Sequence, residues 1–296
     1  MESKLIYEIS QDFNGKTVKD LLKYNKISVA MTTKLKKKEK GILLNGKRVF
    51  VTEKLSTGDI LELLTESEED HSEFIYPTEG TLDILYEDED FLAVNKPPYL
   101  PVHPSKGHPY DSLANIVVYY YKQKNENFTF RCVNRLDKDT SGVTLIAKNA
   151  YAHELMRRLS IENQIHKTYY AIIHGTPQPI EGKIDLPIYR SEEATIKRIV
   201  DPRGKKAITI YKTVKTNDEI SLVKINLVTG RTHQIRVHFA HIGHPLAGDF
   251  LYGNENDGVI SRQALHCGEL QFTHPVSEKN IILKAEFPED MKNIKF

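Results

Sequence analysis

The chain has 296 residues, of which 40% are hydrophobic and 27% are charged, a composition typical of folded globular proteins rather than disordered or fibrous ones. This length suits a large domain with a small one, or two domains of medium size. No apolar run is long enough to span a bilayer, and the first residues lack the apolar core of a signal peptide. Two cysteines cannot form a disulfide framework, so we expect a cytoplasmic protein that does not bind membranes.

Charge is distributed unevenly along the chain, although the formal net charge is only +1. Between Lys16 and Lys54 there are twelve Lys or Arg residues and three acidic residues, a local balance of +9. Between Leu61 and Asp90 there are twelve acidic residues and no Lys or Arg. This segregation predicts a basic module, an acidic connector and a separate third region. A basic module is compatible with nucleic-acid binding and equally with a solvated helix face.

The first predicted module occupies residues 13–65 and combines helices with short strands. Val18, Leu21 and Leu22 are spaced to share one face of a helix, and Leu35 lies in a second, Lys-rich helical stretch. We therefore expect a small α+β unit with a basic surface.

A β-hairpin is predicted over residues 41–51, where Asn45–Gly46 supplies the positive φ angles of a tight turn. A turn at Gly58–Asp59 precedes a short strand from Ile60 to Leu64. Two helices with a small Lys-bearing hairpin resemble the S4 RNA-binding module, including its GI.LNGK.V and GD.L.L segments. The S4 pattern has arginine after a helix serine where this chain has Val29, so one phosphate contact is expected to be missing. A generic small α+β appendage remains the alternative.

Residues 66–80 are expected to form an acidic linker, because they are rich in acids, poor in aliphatic residues and contain proline. From residue 81 to 296 the pattern becomes strand-rich, with helices predicted at Ser112–Lys122 and Ala150–Asn163. This order predicts an α+β domain with a mainly antiparallel or mixed sheet. The chain has no GxGxxG or GxxxxGK[ST] segment, which disfavours a nucleotide-cofactor fold. The predicted strands are Asp83–Tyr86, Phe91–Val94, Val143–Ala147, Lys167–His174, Ala207–Thr216 and Ile220–Val228.

The densest cluster of polar residues extends from Asn134 to Gly142. In an extended chain, Arg135 and Asp137 lie on the same face. The hydroxyls and the glycine that follow predict a turn before the apolar strand, and a carboxylate on such a turn can be held rigidly, as a nucleophile requires. A surface ion pair in an Asx-type turn is the alternative for so short a pattern.

A second polar cluster, Gly230 to His238, is predicted to begin a helix with Thr232 as its N-cap and Gly243 at its C-terminal end. The apolar residues of this helix recur at a spacing of four, which indicates one apolar face. Arg231 and Arg236 flank its N-terminus, so the site suits an anion or a carboxylate held ionised.

A third polar segment, Lys167–Ala171, contains two adjacent tyrosines. Because side chains alternate along a strand, Tyr169 and Tyr170 are expected on opposite faces of the sheet, one in the core and one lining a cleft. Two more polar segments are Asn95–Pro98 and Gly243–Asp249.

Six segments occur in the order found in the RluA family of pseudouridine synthases, namely NKP…VHP, RLDKDTSG, KTYYAIIHG, GRTHQIRVH, GHPLAGD…YG and ALHC…F.HP. With the S4-like start, the resemblance extends from about Phe13 to Pro288. It implies a pseudouridine synthase fold and an isomerase acting on uridine in structured RNA. The residue before RLD is usually histidine in the family and is Asn134 here. This departure affects the surroundings of the site and not its nucleophile.

The resemblance also implies roles for individual residues. Asp137 matches the catalytic aspartate, and Arg236 matches the arginine that pairs with it. Tyr169 matches the aromatic residue that packs on the target base and can help to remove its proton. Arg135 matches a residue that fills the gap left when the base is flipped out of its stack. Further substrate contacts are expected from Lys96, Arg231, His233, Gln234 and Leu265.

The implied reaction breaks the N1–C1′ bond of uridine, turns the base, joins C5 to C1′ and removes the proton from C5. It involves no redox change and no phosphoryl transfer, so neither a metal nor a nucleotide cofactor is expected. The expected partner is RNA, and by family analogy the S4-like module favours large-subunit ribosomal RNA over transfer RNA. We expect the protein to be a monomer.

The sequence allows three other interpretations. The four histidines between positions 233 and 244 could suggest a metal site, but their spacing does not place them all on one helix face. A glycoside hydrolase normally needs two carboxylates, and Asp139 is more readily explained as a turn or surface acid. The third is an RNA-binding protein whose catalytic domain has lost its activity, and the presence of all three catalytic candidates argues against it.

Overall fold

A computed structural model describes residues 3–25, 27, 29–65, 75–191, 196–254 and 257–296. Most of the predicted acidic linker, residues 66–74, and Ser28 of the S4-like pattern lie outside these ranges. Within them, no helix is long and apolar enough to cross a membrane. Two β-sheets, one of four strands and one of ten, organise the described chain.

The four-stranded sheet and its two helices are formed by the first residues of the chain. In chain order, β1, α1, α2, β2, β3 and β4 are Ser3–Glu8, Val18–Tyr24, Val29–Lys37, Ile42–Leu44, Lys47–Arg48 and Ile60–Thr65. The strands are antiparallel in the order β1-β4-β2-β3. The sheet includes β1, which lies before the predicted start of the module at Phe13 and pairs with β4.

The helices of this small unit pack on the sheet through the predicted apolar residues. The three that share a face of α1 are buried, and so is Leu35 of α2. Thr17 and Asp20 form a capping box that satisfies the first backbone N–H groups of α1. The predicted hairpin turn is confirmed, since Asn45 and Gly46 have φ angles of 50° and 76°.

The ten-stranded sheet forms the rest of the framework. Strands β5 to β9 are Ile84–Glu87, Phe91–Lys96, Arg131–Cys132, Ser141–Ala147 and His166–His174. Strands β10 and β13 to β16 are Glu181–Asp185, Ile208–Thr216, Ile220–Leu227, Leu265–Thr273 and Asn280–Lys284. The main order is β10-β13-β14-β9-β15-β8-β6-β5, with β7 on β8 and β16 on β15. Pairing is antiparallel except between β15 and β8, so the predicted α+β class with a mainly antiparallel mixed sheet is confirmed.

Four helices and a separate hairpin accompany the large sheet. Helices α3 to α6 are Leu113–Gln123, Ala150–Ile161, Gln234–His241 and Glu289–Lys292, and the hairpin strands β11 and β12 are Ile188–Arg190 and Arg198–Val200. The two predicted helices are confirmed as α3 and α4. The predicted N-cap of α5, Thr232, is wrong, because the helix begins one residue later, with His233 as its N-cap. Gly243 follows the end of α5 with a φ of 84°, a conformation typical of glycine there.

Strand β8 begins at the end of the polar cluster of Asn134 to Gly142 and lies in the centre of the large sheet. All seven of its residues are buried, and it lies between β6 and β15. Gly142 has a φ of 113°, and a Cβ there would lie 2.2 Å from the backbone oxygen of Cys267 in β15. Because only glycine allows this approach, β8 can pair with β15 from its first residues. We call the segment before β8, residues 133–140, the catalytic loop, after the candidate catalytic carboxylate Asp137 that it carries.

Candidate active site

A small cavity of about 70 Å³ lies where the catalytic loop meets the start of α5. Eight of the nine candidate residues line it, and they are Asp137, Arg236, Tyr169, Arg135, Arg231, His233, Gln234 and Leu265. A larger cleft of about 710 Å³, between α4 and the β15–β16 turn, contains none of the nine. The fold therefore brings together residues from the catalytic loop, β9, the start of α5 and β15.

Asn134 fixes the catalytic loop to β8. Its amide nitrogen donates to the carbonyl of Val143 at 2.9 Å, and its amide oxygen accepts from the N–H of Leu145 at 2.8 Å. The side chain is buried, and these two bonds continue the strand pairing that β7 begins. Asn134 is thus a structural residue of the loop, and the departure from the usual histidine leaves Asp137 in the cavity.

Two buried basic side chains also hold the catalytic loop. The ammonium of Lys96 donates to the carbonyl of Lys138 at 2.9 Å, and the Nη1 atom of Arg262 donates to the carbonyl of Asp139 at 2.9 Å. Arg262 is anchored by a two-point ion pair with Asp290 of α6, at 2.7 and 2.8 Å. Arg262 had not been singled out from the sequence, because a partner 28 residues away leaves no local pattern.

The position of Lys96 differs from the predicted contact with substrate. Lys96 is fully buried, and its ammonium donates to the carbonyls of Pro97 and Leu100 as well as Lys138. Burial lowers the pKa of Lys96 to about 7, against the opposing effect of the Asp139 carboxylate. This geometry suits a residue that positions the catalytic loop.

Arg236 joins Asp137 to a second, deeper carboxylate. Its Nε and Nη2 atoms donate to the two oxygens of Asp249 at 2.7 and 2.8 Å, and both side chains are almost fully buried. The remaining Nη1 atom faces Asp137 at 3.3 Å, where the carboxylate is 32% exposed. Asp249 also accepts from the backbone N–H groups of Leu251 and Tyr252. The arginine is therefore held by Asp249 and presents one nitrogen to Asp137.

His233 closes the other side of Asp137. It has a φ of 56°, which turns the chain sharply into α5. Its Nδ1 atom is hydrogen-bonded to the hydroxyl of Tyr252 at 2.9 Å, and its Nε2 atom lies 3.8 Å from Asp137. Burial lowers the pKa of His233 more than the Asp137 carboxylate raises it, which favours the neutral imidazole.

Among the other predicted substrate contacts, Gln234 is buried, whereas Arg135 and Arg231 are exposed. The amide of Gln234 is buried, donates to the Ile208 carbonyl and the Thr209 hydroxyl, and accepts from the N–H of Arg231. These bonds stabilise the turn before α5 and suit a structural role. Arg231 and Arg135 are exposed and line the cavity.

Tyr169 and Leu265 form the inner wall of the cavity. Both are buried, and Tyr170 lies on the opposite face of the sheet against Phe287, as the alternation of side chains predicts. Burial, together with the neighbouring Cys267 thiol, raises the pKa of Tyr169 well above its usual value. The residue is therefore a neutral phenol at physiological pH, suited to packing against a base.

The histidines that could suggest a metal site have separate partners. His238 is hydrogen-bonded to the Thr209 hydroxyl and the Leu186 carbonyl, and His244 to the carbonyl of His174. Within the described residues, no group of three or more His, Cys, Asp or Glu side chains is placed to hold a metal ion.

The family model for RNA pseudouridylate synthase matches residues 90–241, which include the catalytic loop, Tyr169 and Arg236. The chain belongs to this family. As a pseudouridine synthase, it is an isomerase that acts on RNA, and the predicted fold and activity are confirmed.

Several relatives of this pseudouridine synthase are similar over most of its length. The uncharacterized RNA pseudouridine synthase YjbO of Bacillus subtilis is 40% identical, over 94% of this chain and 98% of its own. The ribosomal large subunit pseudouridine synthase D of Escherichia coli O157:H7 is 36% identical, over 84% and 80%. The structure of human RNA pseudouridylate synthase domain containing 1 is similar with a TM-score of 0.60 and 28% identity, covering 70% of this chain and 84% of that one.

Proposed function

We propose that this pseudouridine synthase modifies large-subunit ribosomal RNA by an aspartate-dependent mechanism that needs no cofactor. The observation that carries the mechanism is the position of Asp137, a partly exposed carboxylate in the cavity beside the buried guanidinium of Arg236. Support for the substrate comes from relatives named ribosomal large subunit pseudouridine synthase D. Transfer RNA is the alternative substrate.

In the proposed reaction, a carboxylate oxygen of Asp137 bonds to C1′ while the N1–C1′ bond breaks, and the electron pair stays on the uracil ring. The base turns within the cavity, and C5 bonds to C1′ and displaces the carboxylate. The freed carboxylate then takes the proton that C5 releases, while N1 gains a proton from solvent. We assign this proton to Asp137 rather than Tyr169, because a phenol with a raised pKa is not ionised at neutral pH. The ion pair with Arg236 keeps the carboxylate oriented through both steps.

The position of the cavity supports base flipping. Asp137 lies in the cavity with its side chain only 32% exposed, and a nucleotide turned out of its helix would bring C1′ and C5 closer to this carboxylate than a stacked nucleotide would. Arg135 is exposed at the cavity and could occupy the space that the base leaves. Tyr169 and Leu265 would pack on the flipped base.

The proposed organisation has three parts. Residues 13–65, extended by β1, form an S4-like RNA-binding domain with its own core, residues 66–80 a linker, and residues 81–296 the catalytic domain. We further propose that the protein is a monomer. We place it in the cytoplasm, since a ribosomal RNA substrate would be found there.

The proposal is tested by mapping pseudouridines in total RNA from cells with and without this protein. We expect at least one uridine of large-subunit ribosomal RNA to lose its modification when the protein is absent, and to regain it when purified protein is added. Loss of sites in transfer RNA alone would contradict the proposed substrate but not the enzyme class.

The proposed chemistry predicts that purified enzyme works without an added cofactor and is unaffected by EDTA. Each bond change can be assisted by a carboxylate, so removing metal ions should not alter the rate. The measurement is tritium release from RNA labelled with [5-³H]uridine, before and after chelation. Inhibition that zinc reverses would instead favour a metal role for the histidines near α5.

The S4-like unit predicts a salt-dependent contribution to RNA affinity. Deleting residues up to Thr65 removes a stretch with a local balance of +9 and none of the residues assigned to chemistry. We expect affinity for long RNA to fall about ten- to a hundredfold at moderate salt, or ~1–3 kcal/mol, and the slope of log Kd against log salt to flatten.

A matched variant of the full chain tests the same surface by a gain of RNA affinity. Val29 begins α2 and is 84% exposed, so Val29→Arg would supply the cation that the S4 pattern has there. It should strengthen binding of RNA and steepen the slope of log Kd against log salt by about 1, the change expected from one more phosphate contact. Equal slopes for the deletion and the parent would show that the basic unit does not touch RNA.

A further inference from the structure

The backbone of Tyr99 has a conformation that is unfavourable for a bulky side chain. Its φ is 64°, in the left-handed region. Among the described residues, the non-glycine residues with positive φ are Asn45, Tyr99, Asn125, Asn163, His233 and Glu278. Asparagine tolerates this region, whereas an aromatic residue there is strained, and such strain is found mainly at functional sites. His233, another member of this set, lies beside Asp137.

The segment that carries Tyr99 is tied to the catalytic loop. The buried ammonium of Lys96 lies 2.7 Å from the carbonyl of Pro97, 2.8 Å from that of Leu100 and 2.9 Å from that of Lys138. One side-chain nitrogen thus holds the residues close to Tyr99 on both sides and the residue that follows Asp137. The segment of Tyr99 and the catalytic loop are therefore held together.

The ring of Tyr99 is not used to fill the core. Its side chain is 51% exposed, and its hydroxyl is hydrogen-bonded to that of Ser261 at 2.8 Å. Ser261 is itself exposed, and a hydrogen bond at the surface has a small net value, because water replaces it when it breaks. Neither burial nor this bond offsets the strained backbone, and the ring remains open to a ligand.

We propose that Tyr99 is a stacking platform for a nucleotide next to the target uridine. Unpaired bases of RNA commonly stack on aromatic side chains, and flipping a uridine leaves its neighbours with an uncovered face. Tyr99 binds such a neighbour and so positions the strand over Asp137. This inference rests on the base-flipping part of the proposed function.

The decisive variant is Tyr99→Gly, which removes the ring and relieves the backbone strain. Because glycine adopts positive φ readily, the variant should melt at the parent's temperature or above it. With total RNA labelled with [5-³H]uridine from cells lacking the protein, we expect KM to rise about five- to a hundredfold, the usual effect of losing one base–aromatic stack. Turnover at saturating RNA should change little, since no group in the cavity is altered.

Two control variants separate stacking from a structural role. Tyr99→Phe keeps the ring and loses the bond to Ser261, so it should retain the parent's KM. Asn125→Gly likewise introduces glycine at a positive φ, 57°, at an exposed position after α3. This variant should have the parent's KM. The salt dependence of RNA binding should be the same in Tyr99→Gly and the parent, because no charge is removed.

The outcomes that overturn the inference are distinct from those that overturn the proposed function. An unchanged KM in Tyr99→Gly, beside an active parent, would show that no nucleotide stacks there. Equal losses in Tyr99→Phe and Tyr99→Gly would show that the hydroxyl tether to Ser261 is what matters. A parent that releases no tritium would contradict the proposed function and this inference together.

Discussion

Replacement of Asp137 by asparagine is expected to lower pseudouridine formation at least about a thousandfold, the scale of loss seen when a nucleophile is removed. The amide has nearly the same size but cannot act as an anion at C1′ or accept the C5 proton. The side chain is 32% exposed, so the stability of the fold should change by about 0.5 kcal/mol or less. RNA affinity should stay within a few-fold of the parent, because Arg135 and Arg231 remain. Tritium release and equilibrium binding measure the two effects separately.

Asp139→Asn is the matched control for this variant. It makes the same chemical change two residues along the loop, at a carboxylate that does not line the cavity. Most of the activity should remain, with a partial loss because the Asp139 carboxylate no longer helps to keep Lys96, which supports the loop, protonated. If the two variants lost activity equally, a mechanism with paired carboxylates would have to replace the one proposed here. Asp137→Asn with more than about a thousandth of parental turnover would contradict the assignment of Asp137 itself.

The cavity residues were predictable because each lies in a short segment that resembles the RluA family, and for some of them the local pattern agrees. The alternation along β9 places Tyr169 and Tyr170 on opposite faces, and the turn before β8 presents Asp137. Helix α3 was predicted from Ser112 to Lys122, and its N-cap is Ser112, a residue type that favours this position. Such features depend on neighbours within a few residues, so one sequence is enough to find them.

The supports of the site could not be found in the same way. Asp249 lies 13 residues from Arg236, and Asp290 lies 28 residues from Arg262, so no helix or strand period links the partners. Lys96 is in a motif and was expected to touch substrate, yet burial at the end of β6 directs its ammonium to backbone carbonyls. Burial and long-range pairing arise only once the sheet has formed.

Replacement of Arg236 by leucine is expected to affect stability as well as catalysis. In the sequence-based interpretation Asp137 was the partner of this arginine, but the structure shows that Asp249 makes the closer, two-point contact. Arg236→Leu would leave Asp249 fully buried without a cation, a change that typically costs about 3–5 kcal/mol. Loss of activity in this variant alone would therefore not show whether Arg236 matters to Asp137. Urea unfolding should report the cost directly.

The double variant Arg236→Leu/Asp249→Asn separates the two roles of the arginine. The asparagine can still accept the N–H groups of Leu251 and Tyr252, as Asp249 does, but needs no cation. Most of the lost stability should return, whereas activity should stay low because Asp137 still lacks its partner. Asp249→Asn alone keeps the arginine and should retain more activity than the double variant. A stable and active double variant would mean that Arg236 serves the fold only, and a double variant as unstable as Arg236→Leu would mean that the unpaired Asp249 is not the source of the cost.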